Sequence, residues 1–158
     1  MPQVRREQTY RELRPPLRLA AHLASVWIQR VPPDAAPYRH RSVPNGSVEL
    51  VCPVGAVPRI VGPQTGPVVD VLAPGTTVVG ARFHPGAAPS VLGVPASELI
   101  DLVVESDALW GRWAVALGER VAGAASPLAA VAVLQAQITG RLGTAAAWMC
   151  WSGRPCTG

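Results

Sequence analysis

The first part of the chain, up to about residue 93, consists of short apolar runs separated by proline and glycine. A run that alternates apolar and polar residues is typical of a half-buried strand. Asn45 and Gly46 form a turn signal between two runs, so the second run is expected to return along the first as a hairpin. The predicted strands lie in HLASVWIQRV, YRHRSV, SVELVCPV, PRIVG, PVVDVLA and TTVVGARFH. Short strands with tight turns predict an antiparallel sandwich or small barrel.

The last of these runs has two distinct faces. Val79, Ala81 and Phe83 share one face by period two, while Arg82 and His84 lie on the other. The first face is suited to a core. The second face can hold a polar partner, such as a ligand, an ion pair or solvent.

Helical periodicity replaces the strand pattern after residue 93. PASELIDLV (95–103) predicts a short helix and SDALWGRWAVALGERVAG (106–123) a longer one, which Ser106 or Asp107 can cap. Ser126 and Pro127 restart a helix that is expected to run to Gly140. The longer helix has an apolar stripe at three- and four-residue intervals. The stripe contains Leu109, Trp113, Ala116, Leu117 and Val121.

These patterns predict one α+β domain over residues 1–141, in which a small antiparallel sandwich or barrel precedes two or three helices. The β part is expected at about 17–93 and the helical part at about 95–141. Residues 142–158 follow neither pattern and carry one charge, two tryptophans and two cysteines. We expect them to form a loose, abnormal tail.

The composition excludes a disordered chain, because 49% of the 158 residues are hydrophobic and 15% are charged. All fourteen basic residues are arginine, and they concentrate toward the amino end. Residues 1–41 have a net charge of +5 and residues 42–158 a net charge of −1. Such a basic segment can contact phosphates, although solvated surface arginines are the usual case.

The opening residues contain no apolar signal-peptide segment, and no apolar run is long enough to cross a bilayer. Cys52, Cys150 and Cys156 are an odd number without the spacing of a disulfide framework. We therefore expect a cytoplasmic protein without a membrane partner. Cys52 lies on the apolar side of its predicted strand, which favours a core role over a catalytic one.

Signatures of enzymes are missing from the sequence. His22, His40 and His84 lack metal-ligand spacing, and there is no Walker loop, dinucleotide-binding glycine motif or nucleophile elbow. We therefore predict no catalytic residues, no metal site and no cofactor.

The remaining polar chemistry is a small set of residues on the predicted strands. Glu49, Arg82 and His84 lie on faces opposite the apolar ones, and Trp27 can supply an aromatic wall. They are candidate ligand-binding residues. The simpler interpretation makes Glu49 and Arg82 a cross-strand ion pair and gives His84 a hydrogen bond to a neighbouring turn.

Several strings in order resemble one branch of the AraC-type bacterial transcription regulators. They are RPPLRLAAHLASVWIQR, VPNGSVELVCPVG, RIVGPQTGPVVDVLAPGTTVVGARFHPGAAPSVLGVPASELID and ALWGRWAVALGERV. The resemblance covers roughly residues 10–125 and concerns the amino-terminal domain that precedes the DNA-binding part. Asn45 replaces the aspartate that is usual in the family's turn.

The resemblance implies a cupin-like sensing or dimerisation domain followed by two helix-turn-helix units. Those units need about a hundred further residues, so we expect no DNA-binding residues in this chain and a regulator truncated before its DNA-binding half. The expected partners are a small-molecule effector and a second chain, in a homodimer or a mixed dimer with a full-length relative. DNA would be reached only through the missing domain. Candidate dimerisation residues are Leu109, Trp113, Leu117 and Val121.

Three alternatives stay open at this point. The domain can be a small metal-free enzyme of cupin-like fold, with Glu49 and His84 as acid and base. It can be a stand-alone small-molecule-binding protein. It can also be a dimerisation module with no ligand.

Overall fold

The computed structural model describes the backbone of residues 7–151 and the side chains of residues 7–143. The fold is α+β, as predicted, and consists of two antiparallel sheets followed by helices. The strands are β1 Thr9–Leu13, β2 Leu23–Arg30, β3 Tyr38–Ser42, β4 Glu49–Pro53, β5 Arg59–Val61, β6 Val68–Leu72, β7 Thr77–Phe83 and β8 Val103–Glu105. The helices are α1 Pro89–Leu92, α2 Asp107–Trp110, α3 Arg112–Ala122 and α4 Pro127–Trp151, and Leu17–Leu19 and Ala96–Leu99 are 3-10 turns.

Six strands form the main sheet in the order β1-β2-β7-β4-β5-β8, and β3 pairs with β6 in a separate two-stranded sheet. The two sheets do not close into a barrel. The predicted hairpin between the runs at 38–43 and 47–54 is therefore wrong, because β3 and β4 belong to different sheets. Gly46 has a positive φ of 71° and the Asn45 side chain accepts a hydrogen bond from the Ser47 amide. This turn carries the chain from one sheet to the other.

The hydrophobic core lies between the main sheet and the helices. On β7, Val79, Ala81 and Phe83 are fully buried, which confirms the predicted apolar face of this strand. Leu117 and Leu134 bring α3 and α4 against the same core. Because side chains alternate along β7, its polar residues lie on the opposite face of the main sheet. Among the described residues no helix packs on that face, and the two-stranded sheet lies over it.

The region after residue 93 is less helical than predicted. Residues 95–103 form only the short 3-10 turn, and the chain then adds β8 to the edge of the main sheet beside β5. Asp101 has a positive φ of 57°, and its carboxylate accepts hydrogen bonds from the amide and hydroxyl of Thr65. These bonds fix the bend that directs Val103 into the sheet. The β part thus extends beyond residue 93, and β1 begins before residue 17.

The boundaries of the helices also differ from those predicted. Gly111, with a φ of 55°, separates α2 from α3 where one helix was predicted. The hydroxyl of Ser106 donates to the Pro58 carbonyl oxygen at 2.7 Å instead of capping α2. Ser126 does cap α4 through the Ala129 amide.

Helix α4 continues past Gly140, where it was predicted to end, to Trp151. A single glycine costs a helix only about 1 kcal/mol. Residues 142–151 of the predicted tail are helical, and 152–158 lie outside the described residues. Within the described part of the chain, no helix has both the length and the apolar character needed to cross a membrane.

Candidate ligand-binding cleft between the two sheets

A cleft separates the helix-free face of the main sheet from the two-stranded sheet. It has two adjoining compartments that share Trp27, Gln29, His40, Ser42 and Glu49. The outer compartment has a volume of about 350 Å³. The inner compartment, of about 100 Å³, is more apolar. It is also lined by Val51, Arg59, Val61, Gln64, Val68, Asp70, Leu72, Val78 and Val103.

Trp27 forms the floor where the two compartments meet. It lies opposite Gly80 in the pairing of β2 with β7. A β-carbon at position 80 would overlap the indole ring of Trp27, so the glycine is what lets the ring lie flat against the sheet. Trp27 is only 6% exposed, and its indole nitrogen has no hydrogen-bond partner among the described residues.

A charged cluster borders the outer compartment. Glu49 lies opposite Arg82 in the register of β4 and β7, and its Oε1 accepts a hydrogen bond from Arg82 Nε at 2.7 Å. Arg82 Nη1 donates to Glu12 Oε1 at 2.6 Å. The Tyr10 hydroxyl donates a hydrogen bond to the same Glu12 oxygen at 2.9 Å. One guanidinium therefore joins two carboxylates from different strands.

The cluster changes the protonation behaviour of its members. Burial and the hydrogen bond to Glu12 raise the pKa of Tyr10 to about 12. The hydrogen bond from Tyr10, with the hydrogen bond and positive charge of Arg82, lowers the pKa of Glu12. Burial alone would lower the pKa of Arg82, but the hydrogen bond and charge of Glu49 offset it, so that the pKa is raised. At neutral pH Glu12 is therefore ionised, Arg82 is protonated and Tyr10 is a neutral phenol.

Hydrogen bonding also connects the two sheets across the cleft. Gln29 Nε2 lies 3.4 Å from His40 Nδ1 and 3.3 Å from Gln8 Oε1. Gln29 is buried on β2, two residues from Trp27 and on the same face of the strand. This contact holds β3 of the two-stranded sheet to the main sheet.

The structure brings three of the four predicted ligand-binding residues together. Trp27, Glu49 and Arg82 all line the cleft, and Glu49 and Arg82 form the cross-strand ion pair of the simpler interpretation. His84 lines neither compartment. It follows the end of β7, and its Nε2 lies 3.0 Å from the Ala20 carbonyl oxygen. That bond matches the alternative prediction of a contact to a neighbouring turn.

The predicted dimerisation stripe is divided by the fold. Leu117 and Val121 are buried in the core of their own chain, so they offer no surface to a second one. Leu109 is half-buried against the same core. Trp113 is 45% exposed, and the guanidinium of Arg141 lies 5.7 Å from its ring centre. Leu117 and Val121 face inward because α3 packs on α4 and on the sheet.

Several cleft residues were missed in the sequence. Tyr10 and Glu12 precede the region where strands were predicted, and they stand among arginines that resemble a solvated run. Gln29 and Arg59 carried a usable signal, because each alternates with core residues and must face away from the helices. Among the described residues, no three His, Cys, Asp or Glu side chains gather as a metal site requires.

Residues 11–105 match the family model described as "Domain of unknown function (DUF6597)". The chain belongs to this family. No match was found among curated proteins or among solved structures. The DUF6597 match includes the cleft residues from β1 to β8 except Tyr10, and it ends before α2. The cleft is therefore built almost wholly from the DUF6597 part of the chain, whereas α2, α3 and α4 lie outside the match.

Proposed function

We propose that this chain is an effector-sensing domain of the type that precedes the DNA-binding half of AraC-type regulators, and that its effector binds in the cleft. The observation that carries the proposal is the unpartnered indole N–H of the buried Trp27 on the floor of the cleft. A buried donor without a partner costs about 1–3 kcal/mol, and a bound molecule that accepts a hydrogen bond from it removes that cost. Cavities with an apolar lining and a few polar groups are typical ligand sites.

The proposal includes a route from the cleft to the helices. On β2 and β7, residues alternate between the cleft and the core, so Trp27 faces the cleft while Val26 and Ile28 face the core. Helix α4 packs against both strands. An effector that favours one arrangement of these strands therefore biases the helical layer through direct packing.

The helical layer is the proposed contact with a second chain. Leu117 and Val121 of the stripe are buried, so the contact would use outward residues of α3, such as Val115. In a longer relative this contact would set the spacing of two DNA-binding halves.

A thermal-shift screen of small polar and aromatic metabolites tests the sensing role. Ligands of the cleft should raise the Tm of the wild-type protein and of Trp113→Phe. They should raise the Tm of Trp27→Phe much less, because that variant loses the indole N–H. Trp113→Phe is a matched control, since it makes the same change at an exposed tryptophan outside the cleft. The proposal fails if every stabilising compound acts equally on Trp27→Phe.

A further inference from the structure

The inner compartment contains a second buried donor without a partner. Arg59 lies on β5, where it alternates with the core residue Ile60 and therefore faces the cleft. Its Nε is buried and has no hydrogen-bond partner among the described residues. Trp27 Nε1, the other unpartnered atom of the compartment, is also a donor. Each of these two N–H groups therefore lacks a hydrogen-bond acceptor.

The two arginines that line the cleft on the main sheet differ in their charge environment. Arg82 forms ion pairs with Glu12 and Glu49 and is fully neutralised. Arg59 forms no ion pair with any described residue. Glu105 stands opposite Arg59 in the register of β8 but is exposed and not paired with it. Asp70 lines the compartment from the two-stranded sheet and is also exposed.

The rest of the inner compartment is mainly apolar. Val51, Val61 and Val78 come from the main sheet, and Val68 and Leu72 come from β6. The flat indole of Trp27 adds an aromatic surface. These side chains suit a planar or aliphatic body rather than a strongly hydrated one.

We propose that the effector is an apolar monocarboxylate, whose carboxylate accepts hydrogen bonds from Arg59 Nε and Trp27 Nε1. This inference rests on the proposed sensing function. A carboxylate supplies the missing acceptors and the charge that Arg59 lacks. One negative charge balances the guanidinium of Arg59, the only arginine among the described residues that line the inner compartment. A dianion such as a phosphate monoester would leave uncompensated charge near Glu49 and Asp70.

Calorimetric titration with 2-naphthoate and with its neutral analogue 2-naphthamide tests this proposal. We expect 2-naphthoate to bind the wild-type chain about tenfold or more tightly than 2-naphthamide, the range of a charge-assisted hydrogen bond. Arg59→Gln should remove that preference. Arg39→Gln is the matched control, because Arg39 is exposed on β3 next to the cleft-lining His40 and should leave the preference intact.

Other outcomes separate this proposal from the sensing function. Equal binding of the two probes, no effect of Arg59→Gln, or tighter binding of 2-naphthyl phosphate would overturn the carboxylate assignment. Binding of neither probe would overturn it as well. In each case the sensing function would stand if the screen still finds compounds that stabilise the protein through Trp27. Circular dichroism and the Tm of Arg59→Gln establish that the variant is folded, and Arg59→Lys should retain part of the preference.

Discussion

Trp27 and Gly80 stand opposite each other on neighbouring strands, and the indole of Trp27 occupies the space that a side chain at residue 80 would need. The floor of the cleft therefore depends on a residue with no side chain. Because β7 continues with the core residues Val79 and Ala81 on its other face, the same strand supports both the cleft and the core.

Replacing Gly80 with alanine should disturb the cleft and the stability together. The added methyl group overlaps the indole ring, and overpacking of this kind costs about 1–3 kcal/mol of unfolding free energy. Urea denaturation measures the loss. Gly66→Ala is the control, because nothing lies within 4 Å of a β-carbon added at Gly66. Equal stability of the two variants would contradict the close contact of Trp27 with Gly80.

Arg82→Met should cost more stability at pH 7.5 than at pH 3.5. The variant leaves Glu49 and Glu12 without their common cation, which we expect to cost about 1–2 kcal/mol at pH 7.5, after allowance for partial exposure. The pKa of Glu12 is lowered in the folded protein. Its contribution is therefore present above its unfolded pKa of about 4.3 and is lost as the pH falls through the lower folded value.

The difference in unfolding free energy between the wild type and Arg82→Met should accordingly be smaller at pH 3.5 than at pH 7.5. Urea titrations at the two pH values measure it. Arg112→Met, at an exposed arginine of α3, should show no comparable pH dependence. If the difference in unfolding free energy between the wild type and Arg82→Met is the same at both pH values, that result would argue against the charged cluster.

Tyr10 should ionise at an unusually high pH. The chain has two tyrosines, so Tyr38→Phe leaves Tyr10 as the only phenol. In that variant, absorbance at 295 nm should show a midpoint near pH 12, because burial and the hydrogen bond to Glu12 raise the pKa of Tyr10 to about 12. A free phenol titrates near pH 10. The stability that neutral Tyr10 provides is thus full below about pH 10 and is lost as the pH rises toward 12.

Adding Glu12→Gln to the Tyr38→Phe variant should lower the Tyr10 midpoint toward 10, because the acceptor loses its negative charge. An unchanged midpoint would show that burial alone raises the pKa of Tyr10.

Local alternation predicted much of the sheet. The faces of β7 follow from period two, because burial of Val79, Ala81 and Phe83 requires only that the strand have one apolar side. Strand pairing was not predictable in the same way. Asn45 and Gly46 mark a turn, but whether β3 pairs with β4 or with β6 depends on contacts between distant parts of the chain.

Local alternation also predicted part of the candidate site. Glu49 and Arg82 could be placed on polar faces from the pattern, and they pair through the register of β4 with β7. His84 lies outside the cleft because it stands just beyond β7, where alternation no longer fixes the direction of its side chain. Glu12 becomes part of the site only through the order of strands in the sheet, which periodicity does not specify.

The central claim is that a small molecule binds against Trp27 in the cleft between the sheets. The most direct test follows the indole N–H resonances of ¹⁵N-labelled protein, with Trp27 assigned from Trp27→Phe, while a compound that raises the Tm is added. We predict that the Trp27 resonance shifts most, because its N–H gains an acceptor, and that the resonances of Trp110 and Trp113 on the helices shift less. A Trp27 resonance that does not move while the compound binds and stabilises the protein would contradict it.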